Sequence, residues 1–153
     1  MTNSKTSVTG GCMCGAVRYE AVGDPTAVAH CHCESCRRHS GAPAVTLVSF
    51  EESRVRFTKG ERAIYKSSPG VRRAFCSQCG ATLTWEGAYA GKSLIEFHIG
   101  TLDDPNAVVP ALHVFHSERL SWFDTADHLP RYRTSRFGDE PYLRRPASEG
   151  LPG

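Results

Sequence analysis

The sequence predicts a mainly β single domain with one or two short helices. Three observations predict it. Short segments with a period of two outnumber any helical pattern. Turn signals rich in glycine, proline and aspartate separate them. Seven cysteines stand in three tight groups.

The first clear strand is 16–22, where Val17, Tyr19 and Ala21 share one face and Arg18 and Glu20 the other. Further strands are expected at 27–31, 44–50, 54–58, 62–67, 71–76, 81–86, 93–101 and 112–116. Within 93–101, Ile95, Phe97 and Ile99 fall on one side and Glu96 and His98 on the opposite side. The turns between strands are Gly23-Asp24-Pro25, Lys59-Gly60-Glu61, Ser68-Pro69-Gly70 and Asp103-Asp104-Pro105-Asn106. That last acidic turn lacks the alternating ligands of a calcium loop. A short helix is expected at 34–39, directly after Cys33. Trp85, Phe97, Phe115, Trp122 and Phe123 read as core and edge packing.

A chain of 153 residues, 40% hydrophobic and 22% charged, fits one domain with a core of its own. No run approaches the ~18 apolar residues of a membrane span, which predicts a soluble chain with no membrane partner. The N-terminal segment has no apolar stretch behind a basic start, so a cytoplasmic location is expected. The net charge of +2 comes entirely from residues 131–153, because 1–130 balances acids and bases. A spread excess of two is not the basic stripe of a nucleic-acid surface. The expected organisation is a zinc-binding domain over 1–130 and a partly disordered C-terminal extension over 131–153.

The cysteines carry the chemistry. In a reducing compartment, close C-x-C and C-x-x-C pairs suit chelation better than disulfides, and zinc is the default ion for clustered thiolates. Cys12-Met13-Cys14-Gly15 and Cys76-Ser77-Gln78-Cys79-Gly80 together offer four thiolates, the composition of a closed structural site. Such a site clamps two turns separated by 61 residues. Cys31, Cys33 and Cys36 offer three. Either the fourth position is open, as in a catalytic or ligand-binding zinc, or a histidine closes it. His30, His32, His39, His98, His113 and His116 are the available histidines.

At these residues the chain resembles a known family. Gly11-Cys12-Met13-Cys14-Gly15-Ala16-Val17-Arg18-Tyr19 comes first. His30-Cys31-His32-Cys33-x-x-Cys36-Arg37-Arg38-x-x-Gly41 follows, then Phe75-Cys76-x-x-Cys79-Gly80. Ile99-Gly100-Thr101-Leu102-Asp103 and the stretch from His113 to Trp122-Phe123 complete the pattern over roughly residues 8–130. This is similar to the glutathione-dependent formaldehyde-activating enzymes, also called the centromere protein V family. The resemblance implies an Mss4-like tent of antiparallel sheets pinned by zinc. It also implies a carbon–sulfur lyase-type activity joining formaldehyde and glutathione to S-(hydroxymethyl)glutathione. The structural zinc would use Cys12, Cys14, Cys76 and Cys79, and a second, more labile zinc would use Cys31, Cys33 and Cys36.

In an enzyme of this kind a small-molecule thiol becomes the fourth ligand at Cys31, Cys33 and Cys36, the catalytic cysteines. His113 and His32 are candidate proton carriers, since an imidazole titrates near neutrality, and His32 is also a candidate substrate contact. Arg37, Arg38, Arg72 and Arg73 are candidates for a substrate carboxylate, with Arg37 and Arg38 preferred. Glu34 is a weaker acid–base candidate. Two other readings stand beside the enzyme: a non-catalytic zinc module for a protein or nucleic-acid partner, and a thiol redox or metal sensor.

Overall fold

In the computed structural model, residues 6–138 and 140–142 are described. Their regular structure is ten strands and one α-helix. The strands are β1 (Ser7–Gly11), β2 (Arg18–Val22), β3 (Ala27–Cys31), β4 (Val45–Glu51), β5 (Val55–Lys59) and β6 (Ala63–Ser68). They continue as β7 (Val71–Phe75), β8 (Thr82–Tyr89), β9 (Lys92–His98) and β10 (Leu112–Val114), and the helix α1 is Glu34–Ser40. Two sheets form, one ordered β1-β2-β5 and one ordered β10-β3-β4-β9-β8-β7-β6. The mainly β expectation holds, with one α-helix among the described residues. None of the described helices is long and apolar enough to cross a membrane.

The chain divides into two units. One comprises the residues up to Val28 and Thr46–Val109. In it, β2 runs antiparallel to β1 and β5, and β4, β9, β8, β7 and β6 pair antiparallel in that order. The apolar faces meet in a core of Tyr19, Ala21, Val48, Phe50, Ile95, Phe97 and Leu102. Tyr19 stacks on Phe97 with ring centroids 3.7 Å apart, and its hydroxyl is hydrogen-bonded to Thr101 Oγ1 at 2.7 Å. Burial of a phenol is tolerated because that polar tip has a partner. A smaller cluster of Val17, Ala74 and Leu83 packs around Cys12 and Cys76.

The other unit comprises Ala29–Val45 and the residues from Pro110 onward. Here β10 lies parallel to β3, an exception to the antiparallel expectation, with His113 opposite His30 and Val114 opposite Cys31. Arg131 is wholly buried in this unit. Its backbone exchanges hydrogen bonds with Tyr142, each at 2.8 Å. The extension expected from residue 131 therefore begins with packed residues, and its end, from 143, lies outside the described residues.

Several boundaries differ from the sequence expectation for physical reasons. β1 carries no apolar alternation, because Gly10 and Gly11 occupy two of its five positions. A Cβ at Gly10 would lie 2.3 Å from the Tyr19 hydroxyl, so the strand can pair closely there only with glycine. The strand expected at 93–101 stops at His98, since Ile99–Thr101 turns into a 3-10 helix. The strand expected at 112–116 stops at Val114 because Phe115 takes a left-handed conformation, φ 51°. Trp122, read as packing, is exposed.

Candidate functional site

The four-cysteine group is built from two turns. Each begins where a strand ends and folds back on a glycine with positive φ, Gly15 at 78° and Gly80 at 75°. Backbone bonds close both loops: Gly15 N–H to the Cys12 carbonyl at 3.2 Å and Gly80 N–H to the Cys76 carbonyl at 2.8 Å. Amides also reach the sulfurs, with Val17 N–H donating to Cys12 Sγ at 3.2 Å and Gln78 N–H to Cys76 Sγ at 3.3 Å. The sulfurs of Cys12, Cys14, Cys76 and Cys79 lie within 4.8 Å of one another. Cys12–Cys14 and Cys14–Cys76 are 3.6 and 3.8 Å apart. Four sulfurs placed tetrahedrally about 2.3 Å from an ion are separated by about 3.8 Å. The donor set and its spacing therefore fit a tetrahedral thiophilic metal.

The protonation of this group is uneven. Burial pushes the Cys12 thiol up, but the Val17 amide and the neighbouring Cys76, Cys14 and Cys79 thiols outweigh it and bring it down to about 6. The Ala16 amide favours the Cys14 thiolate, yet desolvation and the three nearby thiols raise it to about 11. Sulfurs this close cannot all ionise without a cation among them.

The three-cysteine group sits at the end of β3 and the start of α1. Cys33 caps the helix: its Sγ accepts the Cys36 N–H at 3.2 Å, and Gly41 ends the helix at φ 74°. That cap brings Cys33 and Cys36 together, and β3 delivers Cys31. Their sulfurs lie within 4.8 Å of one another. The Cys33 and Cys36 thiols, with burial, hold the Cys31 thiol well above its ordinary value. No histidine among the described residues joins this group. These three sulfurs could hold a metal ion.

The histidines assemble elsewhere. The His113 ring lies 4.8 Å from that of His30 and 5.1 Å from that of His32, so these two residues share the side of the chain opposite Cys31. His113 Nε2 faces both Asp127 oxygens at 3.1 Å, and its Nδ1 faces His32 Nε2 at 2.8 Å. A carboxylate only accepts, so His113 carries its proton on Nε2 and its Nδ1 accepts from His32 Nε2–H. His116 repeats the pattern, with Nε2 facing Asp124 at 3.3 Å and Nδ1 accepting from the Tyr142 hydroxyl. The buried Arg131 spans both carboxylates, at 3.2 Å to Asp127 and 3.3 Å to Asp124. Burial lowers His32 to about 3 and His113 to about 4, so both are neutral at pH 7.

The structure thus brings His32 and His113 together, but as a layer behind the strand that carries Cys31 and not among the sulfurs. Arg37 donates to the carbonyls of His32 at 3.2 Å and Glu118 at 3.1 Å. Arg38 is exposed and pairs with Glu34 at 2.9 Å. Sequence reasoning missed Asp124, Asp127, Arg131 and Tyr142. Their spacing matches no motif, and only the tertiary fold brings them to His113, His116 and one another.

Comparison with known proteins gives the chain a family. The sequence pattern of the family described as glutathione-dependent formaldehyde-activating enzyme matches residues 7–118. The chain belongs to that family. Among family-like relatives, a Schizosaccharomyces pombe protein named as an uncharacterised lyase is 31% identical over 74 residues, 48% of this chain and 53% of that protein. The match thus spans about half the length of that relative. A crystal structure of a Rhodobacter sphaeroides protein shares the fold, with a TM-score of 0.53 and 23% identity over 67% of this chain and 97% of the other. All seven cysteines of this family member lie within the matched residues.

Proposed function

We propose that the protein is a zinc-dependent carbon–sulfur lyase-type enzyme that joins a small aldehyde such as formaldehyde to a glutathione-like thiol. Family membership and the lyase name of the fission-yeast relative support the class. The observation that carries the reading is the three-sulfur group of Cys31, Cys33 and Cys36, which no histidine completes. Zinc at Cys12, Cys14, Cys76 and Cys79 would be structural, in a domain reading of 1–130 with an Mss4-like tent and a cytoplasmic location. Zinc bound by Cys31, Cys33 and Cys36 would supply acidification of a thiol, whose free pKa is about 8.5.

The chain's own residues do the rest. The cap on α1 orients Cys33 and Cys36, and Arg38, exposed on the last turn of the same helix, would exchange its pairing with Glu34 for a substrate carboxylate. In the reaction the thiol sulfur bonds to the carbonyl carbon, and the thiol proton ends on the carbonyl oxygen as a hydroxyl. His32 and His113, which lie on the side of the chain opposite Cys31, orient that strand from behind, with the His113 tautomer fixed by Asp127.

The test is the rate of S-(hydroxymethyl)glutathione formation by exchange spectroscopy, with metal content measured on the same sample. Two zincs and a rate above the uncatalysed background are expected. Cys36→Ser should lose one zinc and at least about a hundredfold in rate while keeping its fold. A rate equal to background in the two-zinc protein rejects the reading.

A further inference from the structure

A cavity of about 700 Å³ opens at the turn from β6 to β7, lined with charge by Glu52, Lys66, Arg72 and Glu86. All of its residues belong to the first unit, and none is a cysteine. Its size falls in the roughly 300–1,000 Å³ range of small-molecule sites. Lys66 is opposite Arg72 in the sheet, and Arg72 is opposite Glu86. Directly opposed residues share a face, so two cations and a carboxylate form one row across β6, β7 and β8. The pairing shifts register just after Lys66, and Gly70 turns the chain at φ 75°. A Cβ on Gly70 would meet nothing within 4 Å, so the turn leaves open space above the row.

The charges of this wall do not cancel. Glu86 is 1% exposed, and its carboxylate is already filled. Arg62 grips it with two bonds, Nε–H at 2.6 Å and Nη2–H at 3.0 Å, and the Thr84 hydroxyl donates at 2.9 Å. Arg72 reaches Glu86 at 3.1 Å and Glu52 at 3.6 Å, both through Nη2. That leaves its Nε–H and Nη1 groups without a hydrogen-bond partner among the described residues, where Lys66 likewise has no ion pair. Arg62, Lys66 and Arg72 thus stand against two carboxylates, and one positive charge stays uncompensated. Cations directly opposed on neighbouring strands repel. An anion seated between Lys66 and Arg72 removes that repulsion, and a guanidinium matches a carboxylate in shape. A single surplus charge selects a monoanion, since a dianion would also meet Glu52 and Glu86. Val71, Ala88 and Leu94 add apolar surface beside the charges.

We propose that this cavity binds a small organic monocarboxylate. Its carboxylate bridges Lys66 and Arg72, and its apolar body lies on Val71, Ala88 and Leu94. The site uses neither cysteine group and does not depend on the function proposed above.

The test titrates the full chain with 3-phenylpropionate and follows its backbone amides by nuclear magnetic resonance. Saturable shifts are expected at Gly70, Gly87 and Ala88, which line the cavity. The neutral isostere 3-phenylpropanamide should bind at least about tenfold more weakly, the scale of one hydrogen bond to a charged group. Inorganic phosphate should also bind more weakly than the acid. Lys66→Gln and Arg72→Gln should each weaken the acid about tenfold and leave the amide unchanged. Arg62 still holds Glu86 in the second variant, so no buried carboxylate is left bare. No saturable shift at these amides, or equal affinity for acid and amide on the parent chain, overturns the proposal, and neither result depends on a variant folding. Shifts confined to the cysteine loops, where a carboxylate can reach a metal, overturn it too. Phosphate binding tighter than the acid overturns the choice of a monocarboxylate.

Discussion

At the scale of single residues, Arg131 carries the largest electrostatic load. It is wholly buried and holds both Asp124 and Asp127. Replacing it by leucine leaves two carboxylates competing for neutralisation, and removal of one partner from a buried charge group typically costs about 3–5 kcal/mol. Arg131→Leu should lower the denaturation midpoint by that order, as read in urea unfolding. Asp127→Asn should cost less, since an amide oxygen can still accept from His113 Nε2–H. His113 gives a pH signature. Burial lowers it to about 4 in the fold, against its ordinary value near 6.5. Its neighbours are His30, His32, His116, Asp127 and Arg131. Because the unfolded chain takes up the proton first, stability from this group is complete above pH 6.5 and is lost as pH falls toward 4. In His113→Gln the fall in stability across that window should be shallower. An equal slope in the two proteins would show that His113 does not contribute to it.

Elements fail where their glycines are asked for different things. Gly80 lies at φ +75° with nothing near its missing Cβ, so only backbone conformation is at stake. Gly80→Ala should cost about 1–2 kcal/mol, the penalty of a side chain in the left-handed region. Gly60, in the turn from β5 to β6, is also left-handed, at φ +66°, but its Cβ would lie 2.0 Å from the Ala16 carbonyl oxygen. Backbone cannot yield cheaply there, so Gly60→Ala should be the more damaging of the two. It should also loosen the Cys12–Cys14 turn that Ala16 follows. Thermal melts and metal retention of the two variants check the order; equal melting temperatures would contradict it.

For the whole molecule, the two metal groups should behave differently under chelation. Cys12 and Cys14 are joined to Cys76 and Cys79 across 61 residues, and the free energy of metal binding at such a site is folding free energy. Cys31, Cys33 and Cys36 span six residues of one strand end and one helix start. A graded chelator series followed by circular dichroism and metal analysis should show the first equivalent of zinc leaving with the β signal intact. Loss of the second should coincide with unfolding. Simultaneous loss of both metals with the fold intact would contradict a structural role for the four-cysteine group.

Much of this was legible in the sequence because the signals are local. Strand 16–22 announces itself through Val17, Tyr19 and Ala21, and a short helix is expected directly after Cys33, where α1 lies. The cysteines divide as four plus three because thiolates a few residues apart reach one ion across a turn. What stayed hidden depends on residues that meet only in space. β1 has no pattern of its own, and its glycines make sense only against Tyr19. His32 and His113 looked like neighbours of the cysteines, yet alternation along β3 turns His32 away and a parallel β10 binds it to His113. Arg131 looked like tail charge until Asp124 and Asp127 surrounded it. Trp85 read as packing and is buried, and only the register of the three paired strands β7, β8 and β9 sets it between Arg73 and Glu96. Sequence by itself determined the two cysteine groups and the β class, because turn geometry and period-two alternation act over a few residues. Tertiary structure alone decided which charges and rings face one another, because strand pairing brings together residues that no local rule connects.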